Sequence, residues 1–274
     1  MSFGILFLVS VVGGFAGAMG GMGGGIVLIP ALTFLGMDIK HAIAVSLLSV
    51  IATSSGSAAA YVRDRLTNLK LGMFLEAFTM LGALAGARLT LSIRPQALFV
   101  LLAGVLFSSA ALLWKKRRDE WMPADRQDAL SRWLELEGSY PDHATGEIVT
   151  YRARRSALGA PLMFLAGVIA GLLGIGAGAV KVLIHDLIMG LPPKVSTTTS
   201  NLIIGVTALS GTSVYLAAGL LDAGLAVPVI LGVVAGAFLG TRVLVRLPDR
   251  AVRIFFLWLL IILGMEIVVR GIRG

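Results

Sequence analysis

Hydrophobic residues along this chain form long unbroken runs, and few segments show the apolar stripe of an amphipathic surface helix. Residues 1–114 and 158–274 are almost wholly apolar. Their longest runs are Ala42–Val62, Gly72–Leu91, Ala97–Trp114, Leu225–Val245 and Ile254–Val269. Several approach the roughly 17–25 residues that an α-helix needs to cross a bilayer. The pattern therefore predicts an all-α polytopic membrane protein.

Composition favours the same prediction. Of the 274 residues, 57% are hydrophobic and 14% are charged, whereas an ordinary soluble domain carries roughly 25% charged residues. The chain has no cysteine, which excludes disulfides and thiolate metal sites. Its net charge of +8 lies mainly in loops next to apolar segments, where basic residues set orientation or meet anionic lipid. A lipid bilayer is therefore the predicted surroundings, and no nucleic-acid partner is predicted.

The second apolar region repeats the first at a shift of 154 residues, without a gap from Ala16 to Arg88. The matched pairs include Gly20 with Gly174, Lys40 with Lys194, Ser46 with Ser200, Thr53 with Thr207, Tyr61 with Tyr215 and Arg88 with Arg242. Chance matches in glycine- and alanine-rich sequence would not keep one shift through lysine, tyrosine and arginine. We interpret the chain as two homologous repeats, at 1–114 and 158–274, separated by a charged insert at 115–157.

Each repeat contains four apolar segments, and glycines interrupt the first of them. In the first repeat the segments are Phe3–Leu35, His41–Val62, Leu69–Leu91 and Pro95–Trp114. In the second repeat they are Leu158–Met189, Val195–Leu220, Ala223–Leu247 and Asp249–Val269. The prediction for each half is one glycine-broken segment, re-entrant or discontinuous, followed by three transmembrane helices.

Basic residues in equivalent loops of the two repeats favour opposite sides of the membrane. Arg63, Arg65 and Lys70 follow the second segment of the first repeat, whereas the equivalent "GLLDAG" loop has no basic residue. If the broken segments return to the side they entered, twenty loop lysines and arginines divide 16 to 4; if they cross, the division is 14 to 6. The positive-inside rule favours the first arrangement. Inverted repeats in the cell inner membrane are therefore predicted, with the insert in the cytoplasm.

The insert at 115–157 holds nine basic residues and most of the acidic residues of the chain. Trp133–Gly138 and Glu147–Arg152 alternate apolar and polar residues around the turn-forming "SYPDHATG", which predicts a β-hairpin next to a short helix. A regulatory or partner-binding role is an alternative to simple packing on the membrane domain. Asp142 and His143 are too few ligands for a metal ion, so no metal site is predicted.

The glycine-rich breaks "GGMGGG" and "GIGAGA" occupy equivalent places in the two repeats. A phosphate-binding loop would stand between a strand and a helix, and that context is missing here. Non-helical backbone at membrane depth is tolerated only inside the protein or beside an aqueous cavity, and transporters use it to direct free N–H groups at an ion. The alternative is that glycine merely allows close helix crossing. The predicted substrate-binding glycines are Gly21, Gly23, Gly24, Gly25, Gly174, Gly176 and Gly178.

Polar side chains recur every three or four residues along the second segment of each repeat, which places them on one helical face. Hydroxyl and amide groups are suitable donors to oxyanion oxygens and cost less to bury than charges. They can equally bond to the backbone of their own helix. The predicted substrate-binding residues of this set are Ser46, Thr53, Ser200, Asn201 and Thr207.

Ionisable residues inside apolar segments are costly and usually functional. Lys181 directly follows the second glycine break, and its predicted counter-charge is Asp186 or a bound anion. His185 and Asp186 are the base and the acid nearest that break, which makes them candidates for proton coupling. For Arg88 and Arg242 we expect snorkelling to the interface. For Glu76 and Glu266, near segment ends, we expect snorkelling or pairing.

The stretch "GGMGGGIVLIPALTFLGMDIKHAIAVSLLSV" resembles the signature of the TauE/SafE family, also described as sulfite exporters or toluene sulfonate uptake permeases. The segments "AGLLGIGAGAVKV", "GARL", "GTRV" and "GSYPDHATGEIVTYR" are similar to that family as well. The resemblance covers almost the whole chain and implies a multi-pass bacterial membrane protein that carries sulfite or organosulfur anions. One departure concerns symmetry: Pro30 follows the first break, whereas Ile184 stands at the equivalent place in the second repeat.

The predicted function is secondary transport of a small sulfur-containing anion, such as sulfite, sulfoacetate or another organosulfonate, held at the glycine breaks near the membrane midplane. Proton coupling is compatible with this function. No Walker motif or cofactor-binding motif is present, so neither ATP hydrolysis by this chain nor a cofactor is predicted. The alternatives are an anion channel and a membrane-embedded enzyme or assembly factor. No Ser–His–Asp set or metal cluster supports an enzyme.

Overall fold

The structure is a computed structural model that describes residues 3–20, 23–63, 66–115, 127–142, 147–244 and 249–273. The first repeat folds into α1 (Phe3–Gly20), α2 (Gly25–Phe34), α3 (Ile39–Arg63), α4 (Leu69–Ser92) and α5 (Pro95–Lys115). The insert contains α6 (Ala129–Trp133), β1 (Glu137–Asp142) and β2 (Glu147–Arg152). The second repeat folds into α7 (Ser156–Leu173), α8 (Gly178–Leu183), a π-helical turn (Ile184–Ile188), α9 (Pro193–Ala217), α10 (Ala223–Leu244) and α11 (Asp249–Arg273).

Long apolar helices dominate this architecture. By length and composition, α3, α4, α7 and α9 can each cross a membrane. Helices α1, α2, α5 and α10 contain shorter apolar stretches of the same character. Large apolar side chains on the outer helix faces are exposed, including Leu101, Leu209 and Trp258. Because such residues would be unfavourable in water, these faces are suited to lipid. The prediction of a largely α-helical polytopic membrane protein is confirmed in the helix content and in these apolar helices.

Each glycine break lies at the turn of a helical hairpin. In the first repeat, α1 and α2 pack closely: a Cβ atom added at Gly17 would lie 2.5 Å from Gly24 Cα, and one at Gly13 would lie 2.8 Å from Leu28 Cγ. In the second repeat, the Arg154 N–H before α7 donates to Met189 O after α8, at 3.0 Å. The chain therefore leaves the second hairpin beside the point where it entered.

Helices of one repeat pack against helices of the other in a reciprocal pattern. Helix α1 packs on α10 and α7 packs on α4, while α3 lies against α9 and α5 against α11. Residues Gly82 and Gly86 of α4 approach Phe164 and Val168 of α7, so these two helices run in the same direction. The pairs Gly82/Gly86 of α4 and Gly236/Gly240 of α10 thus allow close helix packing.

The equivalent helices α3 and α9 run in opposite directions. Ser54 Oγ of α3 donates a hydrogen bond to Asn201 O of α9. Leu47, which comes earlier than Ser54 on α3, lies against Gly211, which comes later than Asn201 on α9. Helix α4 runs parallel to α9, because the Asn68 N–H donates to Thr199 Oγ1 while later residues of α4 meet later residues of α9. These directions place the start of α7 and the start of α9 at the same end of the helix bundle.

The gapless shift of 154 residues is wrong for the first segment of each repeat. Gly82 lies against Phe164 O and its equivalent Gly236 against Val11 O, which relates α1 to α7 by a shift of 153. The helix bounds agree, because α2 begins at Gly25 and α8 at Gly178, whereas α3 and α9 differ by 154. The π-helical turn of Ile184–Ile188 explains the difference, because such a turn accommodates one more residue than an α-helix does.

The insert packs on the end of the bundle where α4, α7 and α9 begin. Strands β1 and β2 pair antiparallel from Glu137↔Arg152 to Asp142↔Glu147. Strand β2 matches the second predicted strand, whereas β1 begins after the predicted Trp133 and includes part of the predicted turn. The remainder of that turn, with His143, lies outside the described residues.

Asn68 joins the insert to the membrane helices. Its Oδ1 accepts from the Leu71 N–H and caps α4, while its Nδ2 donates to the Tyr151 hydroxyl at 3.1 Å. Burial raises the pKa of Tyr151, so that the phenol stays neutral and accepts this bond at physiological pH. Lys70 pairs with Glu135 on the surface nearby, and this ammonium lowers the pKa of the Glu135 carboxyl. The insert is thereby docked next to the exit of the α7–α8 hairpin.

Candidate functional site

The two glycine breaks meet in the interior of the molecule. A Cβ atom added at Gly25 would lie 2.5 Å from Gly174 O, and Ser46 Oγ donates to the same carbonyl at 2.9 Å. Gly23, Gly174 and Gly176 have φ values of +78°, +68° and +72°. Because L-residues with a Cβ rarely adopt this left-handed conformation, these positions favour glycine. Of the predicted glycines, Gly21 lies outside the described residues.

The remaining predicted glycines, Gly24 and Gly178, lie where the second helix of each hairpin begins. A Cβ atom at Gly24 would lie 3.1 Å from Ser49 Oγ of α3. Gly178 O accepts a hydrogen bond from Ser200 Oγ of α9, at 3.4 Å. The structure therefore brings both breaks against the polar faces of α3 and α9.

The predicted hydroxyl residues make bonds of both anticipated kinds. Ser46 donates within its own helix to Ile43 O at 2.8 Å, in addition to its contact with Gly174. Thr53 Oγ1 lies 2.9 Å from Ser49 O, a bond within α3. Asn201, which is 5% exposed, accepts through its backbone carbonyl from Ser54. The side chains of this polar face therefore mainly stabilise the glycine breaks and the packing of α3 on α9.

Lys181 is the most deeply buried charged residue among the described residues, with no exposed surface. Its Nζ donates to Thr207 Oγ1 at 2.7 Å. The same hydroxyl lies 3.2 and 3.3 Å from the two carboxylate oxygens of Glu76 on α4. Thr79 Oγ1 donates to Glu76 Oε2 at 3.1 Å. One threonine hydroxyl thus lies between a buried ammonium group and a buried carboxylate.

Of the two outcomes expected for Glu76, snorkelling and pairing, the structure shows pairing. The residue is 9% exposed and faces the α8–α9 side of α4, where it meets Lys181 through Thr207. Sequence reasoning considered only Asp186 and the substrate as counter-charges for Lys181. The signal that could have found Glu76 is its spacing from Thr79, because residues three apart lie on one helical face and both are polar in an apolar run.

His185 lies four residues after Lys181, in the π-helical turn that continues α8, and is fully buried. Its Nδ1 is 3.3 Å from Ser196 O, and its Nε2 has no hydrogen-bond partner among the described residues. The hydroxyl of Ser196 is likewise buried without such a partner. Asp186 is partly buried. The interior next to Lys181 therefore retains polar groups that are available to a ligand or to water.

The charged cluster occurs in only one of the two equivalent positions. With the shifts seen in the structure, the counterparts of Lys181, Glu76 and Thr79 are Leu28, Ile230 and Val233. The gapless alignment would instead make Val27 the counterpart of Lys181. Val27 and Leu28 are both buried and apolar. Thr53 and Thr207 are the pair that both repeats keep. The cluster of charged residues is therefore asymmetric with respect to the two repeats.

The other intramembrane charges lie away from this cluster. Arg88 and Arg242 are exposed, and the Arg242 guanidinium lies 4.1 Å from the centre of the Phe238 ring. Glu266 pairs with Arg270 at 3.3 Å. Within the described residues, no three His, Asp or Glu side chains are grouped as a metal ion would require.

A cavity of about 770 Å³ opens at the opposite end of the bundle from the insert. It is lined by α2, α3, α5 and α11, with Asp38, Gln96 and Arg270 among its polar residues. Arg270 donates to Phe34 O and is paired with Glu266, so its charge is already balanced. Because the cavity contains none of the predicted site residues, we place the candidate site at Lys181.

Comparison with known proteins identifies the family of this chain. The sequence profile of a family described as "Sulfite exporter TauE/SafE" matches residues 6–267. The chain belongs to the TauE/SafE family. It is similar to the "Probable membrane transporter protein YunE" of Bacillus subtilis, with 27% identity over 99% of both chains. It is also similar to the "Probable membrane transporter protein YdhB" of the same organism, with 29% identity over 87% of both chains.

Membership of the TauE/SafE family establishes the general class of activity. The family description and both relatives' names are those of membrane transporters, so this chain is a membrane transporter and not an enzyme. No solved structure matches the chain significantly. The site of this TauE/SafE member must therefore be argued from its own geometry.

Proposed function

We propose that this protein is a secondary transporter of a small sulfur-containing anion, such as sulfite or an organosulfonate, which binds at Lys181 beside the crossing glycine breaks. The observation that carries this proposal is a fully buried ammonium group next to the start of α8. A buried ammonium is costly unless it is paired. Its direct partner is one neutral hydroxyl, with the Glu76 carboxylate on the far side of that hydroxyl. A bound anion would give the ammonium a direct ionic partner.

The surroundings of Lys181 favour an oxyanion over a bare halide. His185 Nε2 and Ser196 Oγ are buried with unused hydrogen-bonding capacity, and Thr207 provides a further hydroxyl. A sulfonate or sulfite presents several oxygens that can accept bonds from such groups at the same time. The family description as a sulfite exporter supports the same substrate class.

Inverted repeats are part of this proposal. The equivalent helices α3 and α9 run antiparallel, as expected if a two-fold axis perpendicular to the helices relates the repeats. In transporters of this kind, alternating access arises when one repeat rocks against the other around a central site. The excess of loop arginine and lysine at the insert end supports a cytoplasmic insert and an inner-membrane location.

Cysteine accessibility can test this topology, because the chain has no cysteine of its own. We expect single cysteines at Phe3 and Ile272 to react with an impermeant thiol reagent added outside intact cells. A cysteine at Trp133 should react only after the membrane is opened. A Trp133 cysteine labelled from outside, or an Ile272 cysteine protected until lysis, would refute the proposed orientation.

Substrate class is tested with purified protein and a panel of sulfite, sulfoacetate, taurine, sulfate and acetate. We expect sulfite or sulfoacetate to raise the unfolding temperature and to show saturable uptake into proteoliposomes. Acetate controls for a carboxylate without sulfur. If none of the sulfur anions binds or is carried, the proposed substrate class is wrong. Linear, voltage-driven flux without saturation would instead identify an anion channel.

His185 and Asp186 remain proposed participants in proton coupling, because both lie next to Lys181 on one element. Replacing Asp186 by Asn removes the acid and keeps the shape of the side chain. If Asp186 carries the coupling proton, uptake by this variant no longer depends on the proton gradient. Unchanged dependence would assign the coupling proton to another group.

A further inference from the structure

Glu76 and Lys181 form a charge pair in the interior that is separated by one hydroxyl group. Thr207 Oγ1 is 2.7 Å from Lys181 Nζ and 3.2 Å from Glu76 Oε1. The pair joins the hairpin helix α8 to the long helix α4 of the other repeat. It therefore links the proposed anion site to an element that a rocking motion of the repeats would move relative to it.

We propose that Glu76 is the proton-binding group of the transport cycle and takes up one proton when an anion binds Lys181; this rests on the anion transport proposed above. In the empty site, the Glu76 carboxylate balances the Lys181 ammonium through Thr207. An arriving anion takes over the ammonium. The carboxylate is then left buried beside a second negative charge, and it binds a proton from water on the open side.

The charges in this exchange balance. The empty site holds one positive and one negative group, and the loaded site holds the ammonium, the anion and a neutral carboxylic acid. When the anion leaves, the acid gives its proton back to water and the carboxylate returns as the partner of Lys181. Neither state leaves an uncompensated charge buried in the protein, an arrangement that is strongly unfavourable. Anion and proton therefore cross in the same direction.

Thr207 is suited to act as the switch between these states. Its hydroxyl has one proton, and acceptors surround it: the Glu76 carboxylate, Thr79 Oγ1 and the Ile203 carbonyl, the last at 2.7 Å. When Glu76 is ionised, the hydroxyl can donate to it; when Glu76 is neutral, the hydroxyl can donate to Ile203 O instead. Both arrangements leave an oxygen lone pair for Lys181 Nζ.

The ionisable groups on α4 and on the elements around it are the other candidates for this proton. Helix α7 has none within Ser156–Leu173. Helix α9 contributes Lys194 in its first turn and the Tyr215 phenol, which donates to Gly171 O. On the α8 side, His185 and Asp186 flank Lys181. Apart from Glu76, the charged residues of α3 and α4 lie near the helix ends: Lys40, His41, Arg63, Lys70 and Arg88.

The first test is proton uptake by the unaltered protein. Methanesulfonate is the probe, because it carries one negative charge near neutral pH and releases no proton of its own. Calorimetric titrations in buffers of different ionisation enthalpy should give about one proton bound per anion for wild type and about zero for Glu76→Gln. Methanesulfonate that binds wild type without proton uptake overturns the role of Glu76 and leaves the anion site intact. Absence of any methanesulfonate binding would count against the proposed substrate class and against this inference together.

The second test separates exchange from coupled movement in proteoliposomes. Glutamine resembles the protonated acid, so Glu76→Gln should keep methanesulfonate–methanesulfonate exchange and lose uphill uptake driven by a pH gradient. Glu266→Gln, which neutralises another intramembrane carboxylate, should keep both activities. Thr207→Val should impair uphill uptake more than the equivalent Thr53→Val. Native uphill uptake by a folded Glu76→Gln variant, confirmed by its unfolding temperature, would overturn the inference.

Discussion

Replacing Lys181 by Ala is expected to weaken substrate binding by about 30-fold to several thousand-fold, the effect of roughly 2–5 kcal/mol for removing a buried charged partner. The reason is that Lys181 is fully buried and supplies the ammonium of the proposed site. Lys181→Arg should retain binding because the positive charge is kept. It should transport poorly because the larger planar cation alters the contact with Thr207. Binding is measured by calorimetry with sulfoacetate and transport by uptake into proteoliposomes.

A structural role for Lys181 must be distinguished from a binding role. Removing the lysine alone leaves Glu76 buried without its counter-charge, which costs roughly 3–5 kcal/mol of folding free energy. The double variant Lys181→Ala, Glu76→Gln removes both charges and should recover much of the unfolding temperature without recovering binding. Lys40→Ala, at an exposed lysine that donates to Leu91 O, is the control. Native affinity of Lys181→Ala for organosulfur anions would show that the site is misplaced.

Leucine at Gly23 or Gly176 is expected to abolish transport while the protein still inserts into the membrane. Both glycines have positive φ, which costs an L-residue roughly 1–2 kcal/mol. At Gly23 a Cβ atom would also lie 3.0 Å from Val50 Cγ2, so a larger side chain must push α3 away from the break. The expected result is loss of uptake with normal membrane levels of the protein, measured by flux and by quantitative detection in membranes.

The matched control for these variants is Gly104→Leu. Gly104 lies within α5, where an added Cβ atom would meet no atom within 4 Å. This variant should insert and transport as the wild type does. Native flux in both break variants would reduce the breaks to ordinary packing features.

Local sequence features explain which parts of the site could be predicted. Glycine clusters in an apolar segment indicate a helix break wherever the chain folds, because the break depends on backbone conformation at those residues. Gly23, Gly174 and Gly176 accordingly have positive φ. Likewise, Lys181 is identifiable because a lone ammonium among apolar neighbours is costly in any membrane fold. The gapless repeat alignment is wrong before the π-helical turn, because the second repeat has one additional residue there. The equal spacing of residues within the helices on either side hides this additional residue.

The sequence by itself determined the membrane-protein class and predicted the duplication and the two breaks, since hydrophobicity and backbone preference act over short stretches of chain. Only the tertiary structure decided that Glu76 of α4 meets Lys181 of α8 through Thr207 of α9. These residues lie on separate helices in different repeats, and the periodicity of one helix carries no information about its neighbours. Close packing of α4 with α7 and α9, which the glycines of α4 permit, brings the three side chains together.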